Sequence, residues 1–233
     1  MLYTSRMLRE TPLTTDETYH IFNRGAHQQE IFLTHQDYER FMFLLHVSNS
    51  VDQVHLRDLV KKYRGPSSVS PYDHPVGKEL VDILAYALMP NHFHIVIRQK
   101  IDDGISNFMR KVATAYAMYF NLVHEHSGVV FQGRFQSRHV ATEPYYRWIF
   151  SYVHLNPIDL VESGWKERGI VDKNRVEHFV GTYPYSSYLD YRGVERAERS
   201  IIALDGVPDA IRKANDLEDL LKWERRGRFL YSI

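Results

Sequence analysis

The stretch Leu88-Met89-Pro90-Asn91-His92-Phe93-His94-Ile95-Val96-Ile97 decides the fold. Pro90 fixes φ and Asn91 tolerates turn geometry, so Met89-Pro90-Asn91 reads as a tight turn. Apolar runs flank it, Ile83 to Leu88 before and Phe93 to Ile97 after, and the whole reads as a β-hairpin. Side chains on a strand alternate between faces. Phe93, Ile95 and Ile97 therefore share one face, and His92 and His94 share the other. Two imidazoles one residue apart on one face can converge on a single cation. A short His-x-His alone is more often structural or surface than metal-binding. Two other segments add weight to it.

Upstream, Tyr19-His20-Ile21-Phe22-Asn23-Arg24-Gly25 reads as a strand over His20 to Asn23, ended by Arg24-Gly25. Thr34 with Asp37 three residues on approximates a capping box. Tyr38, Phe41, Met42 and Leu45 then recur at helical spacing, which predicts a helix over His35–Val47. A second helical piece is expected over Val54–Tyr63, followed by a Gly/Pro/Ser loop from Gly65 to Gly77. Downstream, Ile105, Phe108, Met109, Val112, Tyr116, Tyr119, Phe120 and Val123 mark a long amphipathic helix that Ser127-Gly128 stops. Tyr116 and Tyr119 lie on its core stripe. The second half of Gln132–Ala141 reads as a strand. Pro144 suits a helix N-terminus, and a helix over Tyr145–Asn156 should end there, because Pro157 disfavours helical geometry in the residue before it.

Strand, helix, strand, strand, helix, strand is the split βαβ order. The expected class is α+β: a ferredoxin-like, four-stranded antiparallel sheet with two helices on one face, then an added helix. Phe93, Ile95 and Ile97 would lie beneath the two helices. His92 and His94 would point to the other face, where Ala85 and Ala87 leave room. The expected division is a domain over 15–165 and a C-terminal extension over 166–233. In the extension, Tyr183-Pro184-Tyr185-Ser186-Ser187-Tyr188 is turn-rich, and Leu217, Leu220 and Leu221 suggest a short helix.

Composition bounds the function. At 233 residues and 44% hydrophobic, the chain can bury one sizeable core. Lys plus Arg is 29 and Asp plus Glu is 29, so any nucleic-acid surface must be local. Cysteine is absent, which removes disulfides, thiolate metal sites and a cysteine nucleophile. No apolar run approaches a membrane span and Met1–Thr15 has no apolar signal core, so a cytoplasmic protein with no membrane partner is expected.

Tyr152 and Asn156, four apart on the helix from Pro144, share one face. Tyr145, Trp148 and Ile149 continue that face, which must dock on protein. Taken alone, Tyr152 reads as a core tyrosine and Asn156 as a helix cap. With the histidine pair, the helix can dock across the open sheet face. Tyr152 then reaches the metal centre as a nucleophile, and Asn156 supplies a third ligand. A local cationic stretch supplies Arg110, Lys111, Arg134 and Arg138 for phosphate contacts. Arg134 and Arg138, beside the helix of Tyr152, are the better placed; a solvated helix face accounts equally well for Arg110 and Lys111.

Asn23-Arg24-Gly25, Leu88 to His94, Phe131-Gln132-Gly133-Arg134-Phe135 and Tyr152-Val153-His154-Leu155-Asn156-Pro157 together resemble the single-tyrosine HUH transposases. The nearest branch is the REP-associated tyrosine transposases. The resemblance covers roughly residues 15–165 and keeps motif order and spacing. It implies that His92 and His94 bind a divalent metal around the central Phe93, that Tyr152 is the nucleophile, and that Asn156 completes the metal site. It also implies an imperfect palindrome folded as a hairpin, with Asn23 and Arg24 joining Arg134 and Arg138 on the DNA.

The expected activity is metal-dependent cleavage and rejoining of single-stranded DNA beside a hairpin, through a 5′-phosphotyrosine intermediate. The neutral His and Asn ligand set would accept Mg²⁺ or Mn²⁺. The partner is single-stranded or hairpin DNA, with the protein a monomer or homodimer. Two competing readings are a non-catalytic single-strand nucleic-acid-binding module on the same sheet and a metal-dependent hydrolase using activated water.

Overall fold

A computed structural model describes residues 12–55, 57–59, 70–213 and 216–228. The chain runs through β1 (Thr18–Arg24), α1 (His35–Val47), β2 (Val81–Met89), β3 (His92–Gln99), α2 (Gly104–Val123), β4 (Gln136–His139) and α3 (Glu143–Leu155). The four strands lie in the order β2-β3-β1-β4, each neighbouring pair antiparallel. This is the expected α+β arrangement, the ferredoxin-like split βαβ.

The hairpin turns at Pro90-Asn91, and its register sets the faces. Phe93 lies opposite Asn23 and Leu88, and His94 opposite Phe22 and Ala87. The apolar face packs under α1 and α2. The Phe93 ring centroid is 5.1 Å from that of Phe41 on α1, and Phe41 meets Tyr116 on α2 edge-on at 5.1 Å. Phe41 and Phe93 are both essentially inaccessible to solvent. Truncating either to Ala would cost ~3–5 kcal/mol, from lost burial and an unfilled cavity.

The α1 start follows from local chemistry. Thr34 and Asp37 form a reciprocal capping box, with the Leu33 and Thr34 amides donating to Asp37 Oδ2 at 2.9 and 2.8 Å. The other carboxylate oxygen, Oδ1, accepts from Tyr119 Oη at 3.0 Å and lies 2.9 Å from His124 Nε2. One fully buried carboxylate thus caps α1 and ties it to α2. Of the helix expected over Val54–Tyr63, residues 57–59 are helical, and 56 and 60–63 lie outside the described residues. The start of the expected Gly65–Gly77 loop, 65–69, lies outside them too, and Ser70 caps a short 3-10 turn, Pro71–Asp73.

Gly25 ends β1 where the chain folds back on itself. A Cβ there would meet the Gln29 carbonyl oxygen at 2.0 Å, so only glycine fits.

The helix carrying Tyr152 ends where expected, with Asn156 as its cap, but not for the expected reason. Asn156, although followed by Pro157, keeps helical dihedrals (φ −53, ψ −40), and the chain continues as a 3-10 turn, Asn156–Leu160. Asn156, Pro157 and Ile158 are all buried. Their packing outweighs the usual bias against helical geometry before proline.

Residues after Trp165 do more than extend the chain. The Tyr183–Ser187 segment lies along the outer edge of β2. The Leu88 amide donates to the Tyr185 carbonyl at 3.0 Å, and the Ser187 amide to the Tyr86 carbonyl at 2.9 Å. The edge of β2 is thereby covered, which blunts its tendency to pair with another chain. Two longer helices flank this segment in the chain, α4 (Lys173–Val180) before it and α5 (Leu217–Arg228) after it. Leu217, Leu220 and Leu221 of α5 join Leu155, Ile158 and Trp165 in a second apolar cluster. At Gly227, α5 approaches Trp148 of α3 so closely that a Cβ would sit 2.1 Å from the indole. No helix among the described residues is long and apolar enough to cross a membrane.

Candidate active site

Strand alternation puts His92 and His94 on the sheet face away from α1 and α2. β1 contributes His20, Phe22 and Arg24 to the same face, opposite Val96, His94 and His92. Gln136 and Arg138 of β4 join them, opposite Phe22 and His20. α3 lies across this face because its apolar stripe, Tyr145, Trp148 and Ile149, must be buried there. That docking brings the Tyr152 ring edge-on to His94, with centroids 5.2 Å apart. One turn later, Asn156 Oδ1 lies 3.1 Å from His92 Nε2.

The hydrogen bonds define what this cluster can accept. His92 Nδ1 is 2.7 Å from Asn91 Oδ1, which accepts from it in the tautomer that carries the proton on Nδ1. His92 Nε2 is then a lone pair facing the Asn156 oxygen, itself an acceptor. Two acceptors turned toward each other fit a shared cation. Burial holds the pKa of His92 below the usual histidine value. Burial, then the neighbouring His20, His92 and Lys166 charges, holds His94 well below it. Both imidazoles stay neutral near pH 7, as metal ligation requires. Among the described residues no three His, Cys, Asp or Glu side chains converge for a metal, so the candidate set is His92, His94 and Asn156.

His20 stands behind His94. Its Nε2 is 2.9 Å from His94 Nδ1, the two rings stack, and His20 is fully buried. Burial, then the nearby Arg138 charge, lowers its pKa to about 3. With both rings neutral, one proton bridges the pair. If His94 Nδ1 donates it, His94 Nε2 is free as a ligand. His20 Nδ1, at the far side, has no hydrogen-bond partner among the described residues.

Tyr152 is half-buried. Burial, then the Asp159 charge, raises its pKa to about 12, so the hydroxyl is protonated at rest. Lys166 Nζ lies 4.6 Å from the centroid of the Tyr152 ring and 3.6 Å from Asp159 Oδ2. Phe22, Arg24, Asn91, His92, His94 and Tyr152 help line a cavity of about 600 Å³.

The cationic candidates are spread more widely. Arg24, Arg134 and Arg138 are exposed around this face. The Arg24 guanidinium donates to the Gln132 side chain, which steadies it at the cavity rim. Asn23 lies on the opposite side of β1 from His20 and Phe22, and its amide nitrogen donates to the Gly133 carbonyl at 3.0 Å. Arg110 lines an adjoining cavity of about 650 Å³ under α2, which shares Asn23 and Arg134 with the first. Lys111 turns away, donating to the Ser50 and Asp52 carbonyls at 2.5 and 2.8 Å. His154 also points away from the site, 2.9 Å from Ser187 Oγ.

The sequence reading singles out neither His20 nor Lys166. His20 alternates in phase with Arg24, but its place beside His94 depends on the β1–β3 register. Lys166 comes from a turn whose position depends on tertiary packing.

Residues 76–156 match the family model described as IS200-like transposases. That span carries the hairpin, α2, β4 and α3 through Asn156, and so includes His92, His94, Tyr152 and Asn156. No curated protein matches the chain. Among solved structures, the chain is similar to one described as a REP-associated tyrosine transposase bound to a REP hairpin. Their TM-score is 0.47 at 18% sequence identity, over 82% of this chain and 88% of that one.

Proposed function

We propose that this chain is a metal-dependent single-tyrosine transposase. It cleaves and rejoins single-stranded DNA next to a hairpin, with Tyr152 as nucleophile. The observation that carries this reading is the convergence of Tyr152 and Asn156, one helical turn apart, on the His92–His94 pair. The match of residues 76–156 to IS200-like transposases supports it.

His92, His94 and Asn156 would hold Mg²⁺ or Mn²⁺, which when bound polarises the scissile phosphate and neutralises charge on it. The chain's own residues do the rest. Docking of α3 holds the Tyr152 ring against His94, so its hydroxyl needs little reorganisation to meet a phosphate in the cavity. Tyr152 Oη loses its proton to solvent and forms a bond to phosphorus. The bond from phosphorus to the 3′-oxygen breaks, and that oxygen takes up a proton as a free 3′-OH. The 5′ side remains as a phosphotyrosyl diester. One phosphodiester bond has been exchanged for another, so attack by a second 3′-OH rejoins strands without ATP and returns Tyr152 to its hydroxyl.

Charge placement favours single strands. The chain is neutral overall, with Arg24 and Arg134 lining one cavity and Arg138 on the same sheet face. A single strand can bend into such a site, whereas a duplex buries its bases and restrains its backbone. The test uses one labelled hairpin-forming oligonucleotide with Mn²⁺, alone and annealed to its complement. The single strand should be cleaved and the duplex should not. Equal or faster cleavage of the duplex would favour an ordinary metal nuclease.

A further inference from the structure

Lys166 lies outside the span that matches the transposase family, yet it reaches the nucleophile. The turn that carries it, Trp165–Arg168, starts at Gly164, whose φ of 70° is the left-handed geometry that glycine adopts freely. Trp165 is 2% exposed and packs in the cluster with Leu155, Ile158 and the α5 leucines. This anchor fixes the turn and directs the next side chain back over α3. Lys166 Nζ then sits 4.6 Å from the Tyr152 ring centroid and 3.6 Å from Asp159 Oδ2. Its side chain is 22% exposed, and its charge is close enough to act on both His92 and His94.

The chemistry beside it calls for a cation. His92, His94 and Asn156 are neutral groups, and the scissile phosphate arrives with a negative charge. As Tyr152 attacks, further charge gathers on the phosphate oxygens. Arg24 and Arg134 line the cavity from the β1 and β4 side, whereas Lys166 lies against the Tyr152 ring.

We propose that Lys166 is a catalytic residue, its ammonium pairing with a non-bridging oxygen of the phosphate that Tyr152 attacks. This inference rests on the reading of Tyr152 as nucleophile. The proton of Tyr152 leaves to solvent, the bond from Oη to phosphorus forms, the bond to the 3′-oxygen breaks, and the 3′-oxygen is protonated. The same ammonium holds the phosphotyrosyl diester for the return reaction. The C-terminal extension thereby completes the active site.

The test compares the full chain with Lys166→Met and Lys166→Arg. Two quantities are measured: the single-turnover rate of adduct formation on a labelled pool of hairpin-forming single strands with Mn²⁺, and Mn²⁺ affinity by calorimetry without DNA. Lys166→Met should slow adduct formation by ~100-fold, the scale of losing one charge-stabilising group. It should bind Mn²⁺ as tightly as wild type or a few-fold more tightly, because a positive charge near His92 and His94 has gone. Lys166→Arg should recover most of the rate. A Lys166→Met protein that reacts within twofold of wild type overturns the proposal. So does one that loses rate and Mn²⁺ affinity together, since that marks a packing role. If wild type itself forms no adduct, the Tyr152 reading fails and this inference falls with it.

Discussion

His92 Nε2 and Asn156 Oδ1 face each other across 3.1 Å, while His92 Nδ1 is committed to Asn91 Oδ1 at 2.7 Å. In the tautomer that donates from Nδ1, neither facing atom has a proton to give, and a cation can sit between them. Asn156→Ala should weaken Mn²⁺ binding by ~10-fold or more while leaving the thermal midpoint within a few degrees, because the helix geometry is held by Pro157 and Ile158. Calorimetric titration with Mn²⁺ measures this directly. Unchanged affinity would remove Asn156 from the ligand set.

His20 should matter without touching the cation. With His94 Nδ1 2.9 Å from His20 Nε2, the buried pair fixes the ring orientation and tautomer of His94. His20→Phe keeps a stacking ring beside Phe22 and loses the acceptor. Mn²⁺ affinity should fall ~10- to 100-fold, the usual cost of removing an outer partner of a ligating histidine. His20→Asn, which can still accept, should lose less. Equal affinity in wild type and His20→Phe would make His20 a packing residue.

Asp37 governs stability rather than chemistry. Burial alone would raise its pKa, but the bonds to His124, the Thr34 and Leu33 amides and Tyr119 outweigh burial and lower it. A depressed carboxylate stabilises the fold above its unfolded pKa, near the ordinary aspartate value of 3.8. That contribution is lost as the pH falls below this value toward the folded pKa. Asp37→Ala removes the α1 cap and the α2 tie together and should cost ~3–5 kcal/mol at pH 7. Urea titration of both proteins at pH 7 and pH 3 checks this, and the difference between them should shrink at pH 3.

Much of this was legible in the sequence because it is encoded locally. The Phe93/Ile95/Ile97 alternation separates core from site, Thr34 and Asp37 mark the start of α1, and the spacing of Tyr152 and Asn156 puts both on one helix face. What depends on register or on distant packing was not legible. His20 meets His94 only through the pairing of β1 with β3. The same alternation that puts His20 and Arg24 on the site face puts Asn23 on the other, where it borders both cavities. Lys166 reaches Tyr152 because Trp165 is buried among helices from three parts of the chain. The turn-rich run Tyr183 to Ser187 covers the edge of β2 by backbone bonding, which side-chain pattern does not reveal. The helical geometry of Asn156 runs against the bias that Pro157 imposes, because burial there is stronger than the local preference.

The central claim is that Tyr152 becomes covalently joined to DNA. The direct measurement is mass spectrometry of the protein after reaction with hairpin-forming single strands and Mn²⁺, digested to locate the modified peptide. The account predicts a nucleotide linked through its 5′-phosphate to Tyr152, and no adduct in Tyr152→Phe, which keeps the ring against His94 and lacks only the hydroxyl. An adduct on another tyrosine, or strand cleavage by Tyr152→Phe at the wild-type rate, would contradict it.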